Sequence, residues 1–115
     1  MVVDQLAPDE ADRAFHALAD ATRRDILAHA TSREQSISAL ARRYEMSFAA
    51  VQKHVAVLER AALVTKERRG REQIVHGNLT TLRRVTELLG IFEQLWIQRV
   101  TNIAGVLAGE KGESR

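Results

Sequence analysis

Apolar residues in this chain recur mainly at intervals of three and four, the spacing that one face of an α-helix produces. The pattern is clearest after Met46, where Val51, Val55, Leu58 and Ala62 fall on a single face that must pack inward. Ser47 precedes the run, and its hydroxyl can accept one of the first free backbone N–H groups of a helix. Ala49, Gln52 and Lys53 occupy the opposite face near its start. A short helix with an apolar back and a compact polar front has the shape that enters a DNA major groove.

Upstream, Pro8 suits a first helical position, and the spacing predicts a helix over 8–18 with Ala11, Phe15 and Leu18 inward. Asp20 or Thr22 caps a second helix that buries Ile26, Leu27 and Ala30. A polar turn over 31–35 leads to a short strand at Ser36-Ile37. Ser38 then caps a third helix, Ala39 to Tyr44, which buries Leu40 and Ala41, and Glu45-Met46 makes a tight turn. Residues 1–7 read as a loose arm.

After Ala62 the period changes to two. The β-prone runs Leu63–Arg68 and Glu72–His76 flank Arg69-Gly70-Arg71, a hairpin with glycine at its tip. Helix, helix, basic hairpin is the order of a winged helix-turn-helix. The predicted fold is therefore mainly α with a small β-hairpin, one domain over 1–115 with its helix-turn-helix at 38–62 and its wing at 63–77.

The last element, 80–108, carries Leu82, Val85, Leu89, Phe92, Trp96, Val100, Ile103 and Leu107 at gaps of three or four. That spacing gives a narrow seam of the kind two helices share. It predicts a long C-terminal dimerisation helix and a homodimer, with the 8–18 helix and Phe15 alongside. Gly90, on the flank of the seam, kinks the helix or permits close approach. Residues 109–115 read as a flexible polar tail.

Composition narrows the partners. The formal charge is only +2, but its distribution is uneven. Between Arg42 and His76 eight Lys and Arg stand against four acids, while between Met1 and Glu34 four Arg stand against seven acids. A basic reading head on an otherwise acidic front suits a polyanion, double-stranded DNA. Arg68, Arg69 and Arg71 at the hairpin tip would reach phosphates or a minor groove. Arg23 and Arg24, beside Asp20 and Asp25, read as structural ion pairs.

Other classes find little support. No apolar run is long enough to span a bilayer, and Met1-Val-Val-Asp-Gln-Leu6 does not resemble a secretory leader. Zero cysteines exclude disulfides and thiolate metal sites and fit a cytoplasmic location. No nucleophile elbow or phosphate-binding glycine loop suggests an enzyme, and no cofactor is indicated. His16, His29 and His76 lack ligand spacing, and His54 borders the apolar face, where packing or a phosphate bond suits it better than a metal.

Ala17–Leu27, Ser36–Ala41, Met46–Val55 and Leu58–Val64 together resemble the bacterial ArsR/SmtB-type repressors, over roughly residues 14 to 108. The resemblance implies a homodimeric winged helix-turn-helix that binds a near-palindromic operator near its own promoter. Matched residue by residue, it assigns DNA contact to Ser47, Phe48, Ala49, Gln52, Lys53 and His54, plus Arg68, Arg69 and Arg71. Gln52 stands where the family often has serine, Ala62 where glycine is common, and Ala21 where proline is common. The metal-sensing members carry cysteines in helix three, where this chain has Ser36–Ala41, and others use histidines on the last helix, where this chain has none after His76. The likeness is thus to members without a recognised metal site, and the effector stays unknown. Two other readings compete: a winged-helix module that docks proteins, and a metal-responsive repressor with a non-cysteine site.

Overall fold

Pro8 stands in the first turn of α1 (Pro8–Leu18), where its missing N–H leaves no bond unmade. Just before it, the Ala7 N–H donates to the Glu10 carboxylate at 2.9 Å. The computed structural model describes residues 5–112. The expected arm at 1–4 and the end of the expected tail at 113–115 lie outside the described residues. Leu6 is buried, so the loose arm does not extend to Leu6.

α1 buries Ala14 and Ala17, not Phe15, which is 38% exposed. The inner stripe is rotated one position from the expected one, so that the alanines and not Phe15 face the neighbouring elements, α2 (Ala21–Ser32) among them. Asp20 caps α2, its carboxylate accepting from the Arg23 N–H at 3.0 Å. Arg23 and Arg24 do not pair with the neighbouring acids as expected. Their guanidinium groups instead donate to the free carbonyls at the end of α1, Arg23 Nε to Ala17 at 2.8 Å and Arg24 Nη1 to Leu18 at 2.8 Å.

β1 (Gln35–Ser36) precedes a short α3 (Ile37–Ala41). Ser36 caps α3 in place of Ser38, its hydroxyl accepting from the Ala39 N–H at 3.0 Å. The α3 helix ends at Ala41, before the expected Tyr44, and residues 42–47 form the turn into α4 (Phe48–Arg60). β2 (Val64–Arg69) and β3 (Glu72–Gly77) form the wing, and β1 adds to β3, giving an antiparallel sheet of order β1-β3-β2. Gln35 pairs with Val75 and Ser36 with Ile74, a non-local pairing that pulls Ser36 into extended backbone and so makes it the cap. Where β3 ends, Gly77 passes so close to α2 that a Cβ there would meet Thr31 Oγ1 at 2.6 Å.

The core gathers Ile26, Leu40, Val51, Val55, Leu58, Leu63, Val64 and Val75, drawn from α2, α3, α4 and the wing. Ala62, expected on the inner face of α4, is exposed, and Ala61 is buried instead. The reason is the end of the helix. The Ala62 N–H donates to Glu59 O at 2.9 Å, the Leu63 N–H to Leu58 O at 3.0 Å, and Ala62 holds φ +59°. This is a Schellman turn with its left-handed position filled by alanine.

α5 (Leu79–Gly112) runs four residues beyond the expected end at 108, so residues 109–112 are helical and not a tail. The chain divides into two units, one ending at Val85 and one beginning at Thr86. Val85 is 6% exposed and belongs to the core of the first unit, which removes it from the expected seam. Leu82 is half-buried in an open groove with Leu18 and Leu27. In the second unit Leu89, Phe92, Trp96, Val100, Ile103 and Leu107 are all exposed, as are Ile91, Leu95, Ile97 and Val106. The apolar face is therefore broader than a narrow seam. A Cβ at Gly90 would meet nothing within 4 Å, so Gly90 makes no close approach among the described residues. Among the described residues no helix is long and apolar enough to cross a membrane.

Candidate nucleic-acid interface

The Ser47 hydroxyl accepts the Ala50 N–H at 3.1 Å and starts α4, whose thirteen residues span about 20 Å. Val51, Val55 and Leu58 are fully buried, which fixes how the helix is rolled. The same roll brings Ala49, Gln52 and Lys53 to the solvent side, with Phe48 also exposed at 47%. Gln52 carries a donor and an acceptor on one amide, the pair that adenine presents in the major groove, and Lys53 matches guanine's acceptors. Phe48 offers an apolar surface of the kind that meets a thymine methyl. The first turn of α4 also carries free backbone N–H groups and the positive end of the helix dipole, which favour a phosphate nearby.

The turn before α4 is tied down from the side. Tyr44 donates its hydroxyl to the Asp25 carboxylate at 2.6 Å, and burial together with that carboxylate pushes the phenol well above its ordinary range. Arg42 and Arg43 immediately precede this anchor and are exposed, with no hydrogen bond or ion pair to any described side chain. They were not among the candidate residues, although the basic excess beginning at Arg42 had marked them.

His54 sits at the flank of α4, half-buried. Its Nδ1 lies 3.3 Å from Arg23 Nη1 and 3.9 Å from the Asp20 carboxylate. The Arg23 backbone N–H that caps onto Asp20 holds that carboxyl below its ordinary value.

The wing turns on two residues, Gly70 and Arg71. Gly70 has φ +65° while Arg71 keeps a negative φ, the pattern of a hairpin turn with glycine first. The structure separates the three wing arginines. Strand alternation places Arg68 on the same ribbon face as Lys66, whose ammonium pairs with Glu59 of α4 at 3.2 Å. Arg68 thus lies on the α4 side of the ribbon. Arg71 is exposed at the tip.

Arg69 lies on the other ribbon face, bound by two carboxylates. It donates to Glu34 at 2.6 and 3.2 Å and to Glu67 at 3.0 Å, while His76 Nε2 lies 2.8 Å from Glu67. Arg69 and then its charge hold Glu34 below the ordinary carboxylate range. For Glu67 the bond to His76 comes first and Arg69 second. Arg69 itself is pushed up by the same pairs. Among the described residues no three His, Asp or Glu side chains gather so as to hold a metal ion.

A short helix, a turn, a helix with an exposed polar front and a cationic two-stranded wing define a winged helix-turn-helix DNA-binding domain. The helix-turn-helix domain family matches residues 18–67. An ArsR-like transcriptional regulator from Rhodococcus sp. RHA1 is 31% identical, with a TM-score of 0.74 covering 85% of this chain and 92% of that one. The chain belongs to the ArsR family of transcriptional regulators. A second ArsR-family regulator, known from its crystal structure, is 26% identical with a TM-score of 0.74, covering 80% of this chain and 95% of that one. The homodimeric winged helix-turn-helix DNA-binding domain of a possible ArsR-family regulator from Mycobacterium bovis shares the fold at 22% identity, with a TM-score of 0.62 covering 75% of this chain and 81% of that one. No curated protein matches the chain.

Proposed function

We propose that the chain is a homodimeric repressor that reads a near-palindromic operator through α4 and holds the flanking backbone with its wing. The observation that carries this reading is the exposed Gln52–Lys53 front on a helix whose opposite face is fully buried. A side chain offered to solvent on a rigidly seated helix is preorganised to meet a base edge. Arg68 and Arg71 of the wing, with Arg42 and Arg43 of the turn, are the phosphate contacts. Arg69 supports the wing from behind and does not grip DNA.

The exposed apolar face of the second unit supports dimerisation. Contiguous surface of this kind on a helix calls for a partner helix, and the Mycobacterium bovis relative is itself homodimeric. In a two-fold dimer the two α4 helices enter major grooves about 34 Å apart, one DNA turn. An operator overlapping a promoter is thereby closed to polymerase, which makes repression the readout. The chain acts as a DNA-binding regulator and not as an enzyme, in a cytoplasmic setting.

Selection of bound fragments from random-sequence duplexes, with sedimentation of the free protein and of its complex, tests the proposal. The expected result is an inverted repeat bound by two copies, with affinity falling steeply as salt rises. Recovery of no sequence preference, or of a monomer on a single half-site, would reject it.

A further inference from the structure

Arginine donates at every side-chain nitrogen and does not lose its proton, so whatever it bonds must offer a lone pair. The Arg23 guanidinium is pinned at the end of α1, with Nε donating to Ala17 O at 2.8 Å and Nη2 to His16 O at 3.1 Å. Held there, it aims Nη1 at Nδ1 of His54 on α4, 3.3 Å away. Among the described residues Asp20 is the one competitor for that ring nitrogen. Its carboxylate stands at 3.9 Å, beyond hydrogen-bond reach, and already accepts the Arg23 backbone N–H at 3.0 Å. Nδ1 is therefore the acceptor, and the proton of the neutral ring belongs on Nε2. Among the described residues Nε2 has no partner, and no fully buried side-chain nitrogen lacks one, so Nε2 is not sealed from solvent. It leaves α4 one residue after Lys53 and two after Gln52.

We propose that Arg23 is a positioning residue for DNA binding: it locks His54 in the Nε2–H form, so that the imidazole offers a neutral N–H donor to a backbone phosphate beside α4. The inference rests on α4 being the helix that faces DNA. A neutral donor releases no counterion, so this contact adds affinity and register without adding to the salt dependence. That separates it from Lys53 and from the wing and turn arginines.

The tautomer is read on the full wild-type chain by long-range proton–nitrogen NMR of the imidazoles, free and with random-sequence duplex DNA at low salt. His54 is expected to carry its proton on Nε2, and that resonance to move when DNA is added. His54→Asn should weaken binding about three- to tenfold with an unchanged salt slope. His54→Gln should retain most of the affinity, because its amide places a donor at a similar distance. Arg23→Gln should weaken binding in the wild-type background and have no effect in a His54→Gln background, where no tautomer has to be chosen. A proton found on Nδ1 in the free protein would overturn the proposal, as would an Arg23→Gln loss that persists beside His54→Gln. Salt-dependent DNA binding that leaves the Nε2 resonance unmoved would overturn it too, while leaving α4 as the reading helix. Absence of any salt-dependent binding would overturn both.

Discussion

Arg69 of the wing and Glu34 of the turn after α2 are 35 residues apart in sequence and joined by two parallel hydrogen bonds, at 2.6 and 3.2 Å. Two-pronged pairing of this kind fixes both side chains, so the wing is fastened to the helical body at a residue otherwise free to reach for phosphate. Arg69 and Arg71 should therefore separate experimentally. Arg71→Ala is expected to weaken binding to all DNA sequences and to lower the slope of log affinity against log salt by about 0.9, one phosphate contact. Arg69→Ala is expected to leave that slope unchanged and to lower the melting temperature. Salt titrations of both variants on one duplex, with thermal melts, check this. An equal loss of slope in the two would return Arg69 to the DNA-contacting set.

The same cluster sets an acid-side dependence. Glu34, bonded by Arg69, and Glu67, bonded first by His76 and then by Arg69, both titrate below the ordinary value of 4.5 in the folded chain. The folded state thus holds these protons less tightly than the unfolded state. The stability they contribute is fully present above 4.5 and is lost as pH falls through the lowered folded values. A Glu34→Gln, Glu67→Gln double variant should be less stable than wild type near neutrality, and the gap should close as the solution is acidified. Denaturant melts from about pH 7 to about pH 3 measure it. A gap that stays constant over that range would place the cluster's contribution outside these ionisations.

Much of this arrangement was legible along the chain because it is local. Pro8 and the helical period give the bounds of α1, Ser47 gives the start of α4, and the change of period after Ala62 gives the wing to within a residue. The polar front of Gln52 and Lys53 follows from Val51, Val55 and Leu58 alone. The features that escaped depend on partners distant in sequence. Ser36 outcompetes Ser38 as a cap only because β1 pairs with β3. Arg69 reads as one of three equivalent wing cations until Glu34 is found beside it, and Val85 reads as seam until its burial in the first unit is seen. A serine two positions from another, or an arginine two from another, carries the same local signal, and only the tertiary contact tells them apart.

Two alanines stand at positions whose backbone prefers other residues. Ala62 holds φ +59° at the end of α4, a left-handed conformation that costs a residue with a Cβ about 1 kcal/mol relative to glycine. Ala21 is the first residue of α2, is exposed, and follows an extended Asp20, a setting that accepts proline. Ala62→Gly should stabilise the fold by about 1 kcal/mol through relief of native strain. Ala21→Pro should add about 0.4–1 kcal/mol by restricting the unfolded chain. One effect acts on the folded chain and the other on the unfolded chain, so the two should add. Denaturation midpoints of the two single variants and the double variant check the pair.

Phe92 and Val85 are both apolar residues of α5, yet Phe92 is 61% exposed and Val85 only 6%. A charge at the first should disturb assembly, and at the second the fold. Phe92→Glu is expected to keep its circular dichroism spectrum and sediment as a monomer, losing affinity for a two-half-site operator while still binding a half-site. Val85→Glu is expected to unfold, since an unpaired charge in the core costs several kcal/mol. A Phe92→Glu protein that remains dimeric would move the interface away from this face.

Gln52 is the sharpest test of how the protein tells one DNA from another. An amide that bonds adenine at two points contributes only where that adenine stands, so its removal should cost about 1–3 kcal/mol on the selected operator and almost nothing on random duplex. Arg43→Ala, at the exposed turn before α4, should cost the same on both, because phosphates carry no sequence. The ratio of specific to random affinity, measured at one salt concentration, should therefore fall for Gln52→Ala and hold for Arg43→Ala. Replacing the contacted base pair should reproduce the Gln52→Ala loss in wild type and add nothing to the variant, since each change removes the same pair of bonds. If Gln52→Ala lowered both affinities equally, α4 would be gripping the backbone and the bases would be read elsewhere.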